Sequence, residues 1–503
     1  MTIQDILETL ISSREIEINP VNPADIVSPF DSSSAIKLLQ KHITAGNKIA
    51  VYGDYDVDGI CATAIVWETI YESYKNVFPH IPHRESEGYG LSTLGIDHCL
   101  AQGAKLIVAV DNGIVAHEQI KYCRSKNCDI IIIDHHEPDK RLPDANVILY
   151  SKMCCAAGLS WFFCRDYLKK PNLEHLTLAA IATICDMMPL TGVSRSIAKY
   201  GLEQLNRTRR PGILALLKIA GVENKKVGTY EVGFMLGPRI NSMGRLEHAI
   251  DSLRLLCTKN PVRAAELANV LNDTNKLRQT ETDASILHAK ENVIQNNIIL
   301  AADVSYHPGV IGLIAAKLVE AFSRPAIAIS IGEEISKGSG RSLPGFHITD
   351  FLRKHKNLFT NLGGHAAACG FTIATNKLDD LAKVLQTAIV DPKLLVKKKR
   401  VDLEIPLELA TLDLWTALQV LEPFGLGNPT PIFQSSAKIL ETHWVGQTKK
   451  HLAIKFANDL EGIWFNAPPS NLLPNTSILA TYSLDHDTWN GREKLKLMVK
   501  ALS

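Results

Sequence analysis

Apolar residues occur in short, unbroken runs from residue 48 onward, and stretches of helical character separate them. The runs are KIAVYG, KLIVAV and DIIIID, and the pattern from Thr63 to Tyr74 is helical. Strands that alternate with helices are typical of parallel β-α-β units. A strand buried on both faces has a continuous rather than an alternating apolar run. The pattern therefore predicts an open, doubly wound parallel sheet.

Longer helical patterns follow this sheet. HLTLAAIATICDMMPL and SIAKYGLEQLN indicate a helix, a turn and a second helix. From Pro261 to about Asn296 the chain has no further proline and no glycine, and leucines recur at helical spacings. This stretch predicts one long connecting helix.

A second α/β region begins with the strand-like segment IILAADV. It continues with the helix VIGLIAAKLVEAF, the strand PAIAISI, the Gly-rich stretch KGSGRS and the segment GGHAAACGF. The basic linker VKKKRV follows, and the last hundred or so residues contain alternating runs such as HLAIKF and KLKLMVKAL. The predicted architecture is two α/β domains joined by a long helix, with a small β-barrel at the C-terminal end.

The amino-acid composition limits the classes of protein to which the chain can belong. A length of 503 residues predicts about three domains, and 46% hydrophobic with 21% charged residues is typical of globular chains. Lys and Arg total 54 against 53 Asp and Glu, so a polyanion would have to bind in a local groove. No run of 18 apolar residues and no secretory leader is evident, which predicts a cytoplasmic protein without membrane association. The ten cysteines lack C-x-x-C spacing and are expected to be reduced packing residues.

Acidic residues follow three predicted strands. KIAVYG leads into Asp54, Asp56 and Asp58, KLIVAV into Asp111, and DIIIID ends at Asp134 before His135 and His136. The carboxyl ends of parallel strands meet at one edge of a sheet, so these side chains should converge. Asp186 could join them from the end of LTLAAIATIC. Because so many carboxylates repel one another, divalent cations are expected there.

The ligand types favour Mn²⁺ or Mg²⁺, with Zn²⁺ or Fe²⁺ as alternatives. DYDVDG also matches the start of an EF-hand loop, but Ile65 stands where that loop needs a bidentate Glu. One acidic motif of this kind could be an Asp-rich turn exposed to solvent. Three such motifs after three strands are not readily explained in that way. Adjacent residues at a strand end point in opposite directions, so only His135 is expected to bind metal while His136 faces substrate.

The ordered motifs VYGDYDVDG, VAVDNG, IIDHH and ATICDMMPL resemble motifs one to four of the DHH phosphoesterase superfamily, and GGHAAACG resembles its DHHA1 domain. More narrowly, the chain is similar from about residue 28 to 460 to the RecJ family of single-strand-specific 5′ to 3′ exonucleases. The segments that carry this likeness are EGYGLS, GPRINSMGRLEHA, LNDTNKLRQ, SYHPGVIGLIAAKLVEAF, GSGRSLPGFHI and EPFGLGNPTPIF.

The resemblance implies a DHH domain with an N-terminal extension over residues 1–245, a connecting helix region over 246–296, a DHHA1 domain over 297–392 and an OB-fold over 393–503. It implies release of 5′-mononucleotides in DNA repair and recombination, with two Mn²⁺ or Mg²⁺ ions. The implied metal ligands are Asp54, Asp56, Asp58, Asp111, His135 and Asp186. Asp134 is expected to orient its neighbours and His136 to act on substrate.

The same resemblance implies which residues bind DNA. A terminal 5′-phosphate would contact Arg84, Ser339, Arg341 and the backbone N–H groups of KGSGRS. His365 would contact a phosphate near the cleavage point, and Arg239, Asn241 and Arg245 are further candidates. Base stacking is expected from one or two barrel-region aromatics, chosen among Phe424, Phe433, Trp444, Phe456, Trp464 and Trp489. KKKR at 397–400 is interpreted mainly as a solvated linker.

The expected partners are single-stranded DNA, a single-strand-binding protein and a helicase, and the chain is expected to be a monomer. Sister enzymes of the superfamily cleave oligoribonucleotides or cyclic dinucleotides, but they usually end after the second domain, so the barrel favours a polymer substrate. A non-catalytic scaffold is the other alternative. Degenerate scaffolds of this superfamily lack metal ligands, and every acidic position is present here.

Overall fold

Three β-sheets and one long helix organise the chain. The computed structural model describes residues 1–14, 16–84, 86–88, 90–395, 400–446, 449–468, 474–487 and 494–503. Within these residues, no helix combines the length and the apolar character that a membrane span requires. All ten cysteines are free thiols, as expected from their spacing.

The first region is a parallel sheet covered on both faces. After the first helix of the chain, α1 (Ile3–Arg14), its elements are α2 (Ser33–Thr44), β1 (Lys48–Tyr52), α3 (Val57–Ser73), β2 (Val77–His80), α4 (Thr93–Ala101), β3 (Ala104–Val110), α5 (His117–Ser125), β4 (Asp129–Asp134), β5 (Val147–Tyr150), α6 (Ala156–Leu168), α7 (Leu173–Cys185) and α8 (Gly192–Leu205). The strand order is β2-β1-β3-β4-β5, and all pairings are parallel. The central strands are almost wholly buried, which explains their continuous apolar runs.

Helix α3 begins earlier than its apolar periodicity predicts. Its first residue is Val57, because the Asp56 side chain accepts hydrogen bonds from the N–H groups of Asp58 and Gly59 and so caps the helix. The first acidic motif therefore lies at the junction between β1 and α3, directly above the sheet edge.

A helical layer connects the two α/β regions. It contains α9 (Pro211–Ile219), a π-helical segment (Glu231–Leu236), α10 (Gly237–Leu246), α11 (Ile250–Cys257) and α12 (Pro261–Asn292). Asn260 caps α12 through Val262 and Arg263, and Pro261 occupies its first position. The long connecting helix is confirmed, and it ends at Asn292.

The second α/β region has a mixed sheet. Its elements are β6 (Ile299–Asp303), α13 (Ile311–Phe322), β7 (Ala326–Ser330), β8 (Ile335–Arg341), α14 (Ile348–Arg353), β9 (Phe359–His365), β10 (Ala368–Ala374) and α15 (Leu378–Gln386). The strand order is β6-β7-β8-β10-β9, with only β6 and β7 parallel. Apolar clusters cover both faces of the sheet.

The C-terminal region is a closed five-stranded barrel. Its elements are β11 (Leu403–Glu404), α16 (Leu412–Leu418), β12 (Phe433–Val445), β13 (His451–Phe456), β14 (Glu461–Trp464), β15 (Ser477–Asp487) and β16 (Lys494–Leu502). The order β12-β13-β14-β16-β15 closes because β15 also pairs with β12. The predicted fold class, two α/β domains with a linking helix and an OB-type barrel, is confirmed.

The first helix belongs to the barrel rather than to the first sheet. Ile6 and Leu10 of α1 are fully buried in the barrel's apolar cluster, and Arg14 donates to Asn428. The N-terminal extension that the sequence assigned to the first domain therefore begins with a helix that packs on the barrel. The contact joins residues some 400 positions apart, and no local pattern can predict it.

Candidate metal centre

Acidic side chains converge at the carboxyl edge of the first sheet, as predicted. Asp54, Asp111 and Asp134 end or follow the adjacent strands β1, β3 and β4. All three residues are at most 2% exposed. Asp186 reaches the same place as the residue that closes the C-terminus of α7.

His135 lies at the middle of this acidic cluster. Its Nε2 atom is 3.5 Å from Asp58 Oδ2, 3.4 Å from Asp111 Oδ1 and 3.6 Å from Asp186 Oδ2. These separations are too long for good hydrogen bonds. They are the separations expected of ligand atoms that surround a common ion.

The possible ligands at this sheet edge form three overlapping groups, of which one joins Asp111 to both His135 and His136. Ligand atoms of Asp54, Asp56 and Asp111 all lie within 4.8 Å of one another, and so do those of Asp58, His135 and Asp186. Because Asp111 Oδ1 also lies next to His135 Nε2, this carboxylate is shared between the two groups. Together these residues could hold two adjacent cations.

Backbone geometry fixes two of these acids. Asp111 has a left-handed backbone, with φ of 62°, which turns the chain sharply at the end of β3. A Cβ atom on Gly59 would lie 2.5 Å from the Asp54 backbone nitrogen, so only glycine lets α3 approach the acidic turn so closely. Asp58 accepts hydrogen bonds from Ala156 and Ala157 and so holds the N-terminus of α6.

The cluster is electrostatically unfavourable without a cation. Burial and then repulsion from Asp56 raise the pKa of Asp54 to about 8, and burial and then repulsion from Asp58 do the same for Asp186. Burial, followed by repulsion from Asp58 and Asp56, raises the pKa of Asp111 far above its ordinary 3.8. Burial lowers the pKa of His135, which favours the neutral ligand form. Asp186 also sits at a helix C-terminus, where the dipole disfavours an anion.

Three buried atoms in the cluster have no hydrogen-bond partner. They are Asp54 Oδ1, Asp111 Oδ1 and His135 Nε2. Buried polar atoms are nearly always paired, so three orphans at one point indicate a bound group that they would hold. Oxygen ligands with one imidazole fit Mn²⁺ or Mg²⁺, and the residues present therefore fit a divalent metal centre.

Asp134 orients both histidines. It accepts hydrogen bonds from the backbone N–H groups of Ile114, His135 and His136, and from the His136 ring at 2.8 Å. The two histidine rings do not diverge as expected for adjacent strand residues, since their centroids lie 4.6 Å apart. They follow the end of β4 rather than continue it, so strand alternation does not apply. Burial lowers the pKa of His136, but the bond to Asp134 outweighs burial and raises it to about 9.

A group of arginines lies beside the acids. The Arg84 guanidinium stacks over the Tyr55 ring at 5.0 Å, and Arg245 donates to the Gly309 carbonyl at 3.0 Å. Burial, followed by the nearby charges of Arg84, Arg278 and Arg341, lowers the pKa of Arg245 to about 10. We call Arg84, Arg245, Arg278 and Arg341 the arginine group.

Residues of the second sheet complete this side of the cleft. Ser339 Oγ accepts a hydrogen bond from Arg341 at 3.2 Å and donates to the Cys369 carbonyl. His365 ends β9, and burial lowers its pKa, with further contributions from the charges of His136 and Arg341. The two α/β regions therefore face each other across the metal centre.

The expectation that backbone N–H groups of KGSGRS cradle a phosphate is wrong. These residues form β8, which pairs with β7 on one side and with β10 on the other. Its backbone N–H groups are used in the hydrogen bonds to these two strands, so only side chains of this stretch can reach a ligand.

Two other candidates make contacts within the protein. Arg239 donates to Asn272 Oδ1 of α12 at 3.2 Å and to the Met235 carbonyl at 2.7 Å. Asn241 Oδ1 accepts from the Val57 N–H at 3.2 Å and so supports the start of α3. Their geometry indicates support of the acidic turn, and their predicted contact with substrate stays a prediction.

Two site residues were missed by the sequence reasoning. Arg278 belongs to the arginine group. It lies in LNDTNKLRQ, a segment that carries the family likeness but whose arginine was assigned no function. Glu87 of EGYGLS accepts from His80 Nε2 at 2.9 Å and from the His83 N–H at 3.1 Å, which anchors the loop that carries Arg84. Arg278 joins the site through residues distant in sequence, whereas the partners of Glu87 are only seven and four positions before it, within the same loop.

The barrel-region aromatics divide by burial. Phe433 and Phe456 are fully buried core residues, and Phe424 and Trp464 pack partly buried against the same core. Trp444 is 38% exposed and is the most accessible of the described candidates. Trp489 and the lysines of KKKR lie outside the described residues, and Arg400 is paired with Asp402.

Comparisons with known proteins agree with this geometry. Three family models match the chain: "DHH family, N-terminal domain" over residues 48–183, "DHHA1 domain" over 295–391 and "RecJ OB domain" over 401–501. The single-stranded-DNA-specific exonuclease RecJ of Salmonella typhimurium is 31% identical over 97% of this chain and 93% of its own length. The Bacillus subtilis protein of the same name is 33% identical over 95% of this chain, which spans 64% of that longer relative.

The fold also resembles a solved structure. The crystal structure of RecJ in complex with Mn²⁺ from Thermus thermophilus superposes with a TM-score of 0.87 at 26% identity, covering 98% of this chain and 75% of that one.

Proposed function

Because this chain belongs to the RecJ family, we propose that it is a single-stranded-DNA-specific exonuclease that degrades 5′ to 3′ and releases 5′-mononucleotides with Mn²⁺ or Mg²⁺. The observation that carries the proposal is the set of three unpartnered ligand atoms of Asp54, Asp111 and His135, buried where two α/β regions meet. Such an arrangement has no structural use without cations.

The proposed metal ligands are Asp54, Asp56, Asp58, Asp111, His135 and Asp186. Two divalent ions bound there would supply a hydroxide nucleophile and neutralise charge on the phosphate. The protein itself would contribute by positioning the reacting groups. Asp134 holds His136 in one orientation, and the exposed part of that ring can donate to a phosphate oxygen. His365 faces the same space from the second sheet and would hold the adjacent diester.

The arginine group is the proposed receptor for the 5′ end. Arg84, Arg245, Arg278 and Arg341 lie close enough together for their charges to interact. A terminal phosphate carries more negative charge than an internal diester, so clustered guanidinium forks favour a chain end over a mid-strand position. Direction then follows, because the end must be bound before the neighbouring linkage reaches the metals.

The barrel would hold the strand that enters the cleft, with Trp444 as the proposed stacking residue. The proposed setting is DNA repair and recombination in the cytoplasm, where free cysteines persist. A single-strand-binding protein and a helicase are the proposed partners, and the protein is proposed to act as a monomer. The domain division proposed above remains 1–245, 246–296, 297–392 and 393–503.

The test is digestion of single strands labelled at the 5′ or the 3′ end, with and without Mn²⁺. We expect mononucleotide release from the 5′-labelled strand first, and little action on blunt duplex. Asp111→Asn is the sharpest inactive variant, because asparagine tolerates the left-handed backbone that alanine does not. It should lose cleavage at least about a hundredfold.

Asp144→Asn is the matched control, since it removes a surface carboxylate from the same sheet region. It should cleave like the wild type. Equal activity of Asp111→Asn and Asp144→Asn would exclude the metal centre as the catalytic site.

A further inference from the structure

A glycine-rich turn of the C-terminal region docks on the loop that follows Asp186. We call residues 422–429, EPFGLGNP, the docking turn. The Leu426 carbonyl accepts a 2.6 Å hydrogen bond from the Leu190 N–H. A Cβ atom on Gly427 would lie 3.3 Å from Pro189 Cβ, and one on Gly425 would lie 2.6 Å from Leu190 Cδ1. The two backbones are therefore in direct contact, with no room for larger side chains.

Buried polar side chains fix the shape of the docking turn. Asn428 is fully buried, and its amide donates to the carbonyls of Leu421 at 2.7 Å and Pro423 at 3.0 Å. Its Oδ1 accepts from Arg14 of α1 at 2.8 Å. With both ends of its amide satisfied, Asn428 holds the turn in one conformation.

Arg195 of α8 fastens the docking turn to the first α/β region. This side chain is fully buried, and its guanidinium donates to the carbonyls of Leu421, Glu422 and Pro423, with Nε bonded to Glu17. Burial lowers its pKa. A buried charge that binds only carbonyls is costly, so its geometry must be well determined.

The contact lies close to the metal centre in the chain. Helix α7 ends at Cys185, Asp186 follows, and Met187 adopts a left-handed backbone with φ of 57°. Leu190, the docked residue, is only four positions after Asp186. The Asp186 backbone N–H donates to the Ala182 carbonyl at 2.8 Å, and the docking turn bonds Leu190 at the other end of the same short loop.

We propose that the docking turn positions Asp186, with Asn428 and Arg195 as positioning residues, so that the C-terminal region sets the turnover rate as well as strand affinity. The inference rests on the proposed nuclease function, because turnover is measured as cleavage. It assigns a role to EPFGLGNP that DNA binding does not require.

The test uses full-length variants and a 5′-phosphorylated trinucleotide, too short to extend from the metal centre along the barrel. Asn428→Ala removes the internal hydrogen bonds of the turn, and Gly427→Ala pushes a methyl group against Pro189. Each should lower kcat about tenfold or more with little change in KM, because displacement of a reacting group by a fraction of an ångström has effects of this size. Calorimetric titration should show weaker Mn²⁺ binding in both variants.

Two controls separate positioning from general damage. Ser435→Ala removes a buried barrel hydroxyl that bonds Ile405 and Tyr482, so it loosens the barrel without touching residues 186–192. Gly221→Ala imposes a similar left-handed strain, with φ of 71°, where a Cβ atom meets nothing within 4 Å. Both should keep the wild-type kcat, and thermal unfolding will show whether their loss of stability matches that of the test variants.

The inference is overturned if Asn428→Ala and Gly427→Ala keep the wild-type kcat and Mn²⁺ affinity on the trinucleotide, or if Ser435→Ala lowers kcat equally at equal stability. An inactive wild-type protein would instead count against the proposed function, so the two failures are distinguishable.

Discussion

The carboxylates of the metal centre differ in how fully the protein already satisfies them. Asp58 uses both oxygens to accept backbone N–H groups of α6, and Asp134 binds three backbone groups and His136. Asp111 has one buried oxygen with no partner. Asp111 should therefore depend most on a bound cation, whereas Asp58 and Asp134 also hold the surrounding backbone in place.

Alanine substitutions of His135 and of His136 should therefore have different effects on metal binding and on cleavage. His135→Ala removes an unpartnered ligand atom and should weaken Mn²⁺ binding strongly. His136→Ala should leave Mn²⁺ binding near the wild-type value and slow single-turnover cleavage about a hundredfold, the usual cost of losing a donor to a developing charge. Calorimetric titration measures Mn²⁺ binding in both variants, and rapid-quench kinetics measures their cleavage rates. An equal loss of Mn²⁺ binding in the two variants would contradict the separate roles assigned to His135 and His136.

Arg341 should bind the 5′-phosphate with its side chain alone, because the backbone of β8 is hydrogen-bonded to the neighbouring strands β7 and β10. Arg341→Ala removes charge-assisted hydrogen bonds worth about 1.5 to 3 kcal/mol. The rate ratio between 5′-phosphate and 5′-hydroxyl strands should fall roughly ten- to a hundredfold, with Mn²⁺ binding unchanged. Arg353→Ala, an exposed arginine paired with Asp350, is the control. An unchanged ratio in Arg341→Ala would show that the end is recognised elsewhere.

At the scale of elements, burial on both faces makes the central strands β1, β3 and β4 of the first sheet predictable, because each is a continuous apolar run. The edge strands β2 and β5 are mostly half-buried and gave no such signal. Strand β8 was not predictable in this way. Glycine is depleted in strands, yet a Cβ on Gly338 would lie 2.1 Å from the Phe371 ring, so the cross-strand aromatic requires it. The convergence of the acids followed from the parallel direction of the strands, whereas Arg278 joined the site only through packing of α12.

Helix α3 carries the first acidic motif at its N-terminus and is held at its middle by Glu68. This carboxylate bonds His175 of α7 at 2.9 Å and pairs with the buried Arg210. Burial raises the pKa of Glu68, but those partners outweigh it and lower the pKa to about 2. Glu68→Gln removes the nearer of the two carboxylates beside Arg210, since Glu174 lies 3.9 Å away, and should destabilise the protein by about 3 kcal/mol at pH 7.

The sign of its pH dependence follows from the lowered pKa. The contribution of Glu68 is complete above its ordinary pKa of 4.5 and is lost as the pH falls toward 2. The difference in unfolding free energy between wild type and Glu68→Gln should therefore shrink from pH 5 to pH 3. Urea unfolding at several pH values measures it, and a difference independent of pH would argue against the ion pair.

For the whole molecule, a formal charge of +1 means that affinity for DNA must come from a few local contacts. Counterion release predicts a slope of about 0.7 in log affinity against log salt for each phosphate contact on a single strand. We expect Arg341→Ala to reduce the slope by about that amount, measured by anisotropy in the inactive Asp111→Asn background. A salt-independent affinity would contradict a groove lined by the arginine group.

The packing of α1 on the barrel has a consequence for synthesis. The apolar face of Ile6 and Leu10 leaves the ribosome about 400 residues before its partners, which at roughly 5 to 20 residues per second is a delay of about 20 to 80 seconds. During that interval the first α/β region can fold, while the apolar face of α1 has no packing partner. Completion of the barrel is then the event that buries α1.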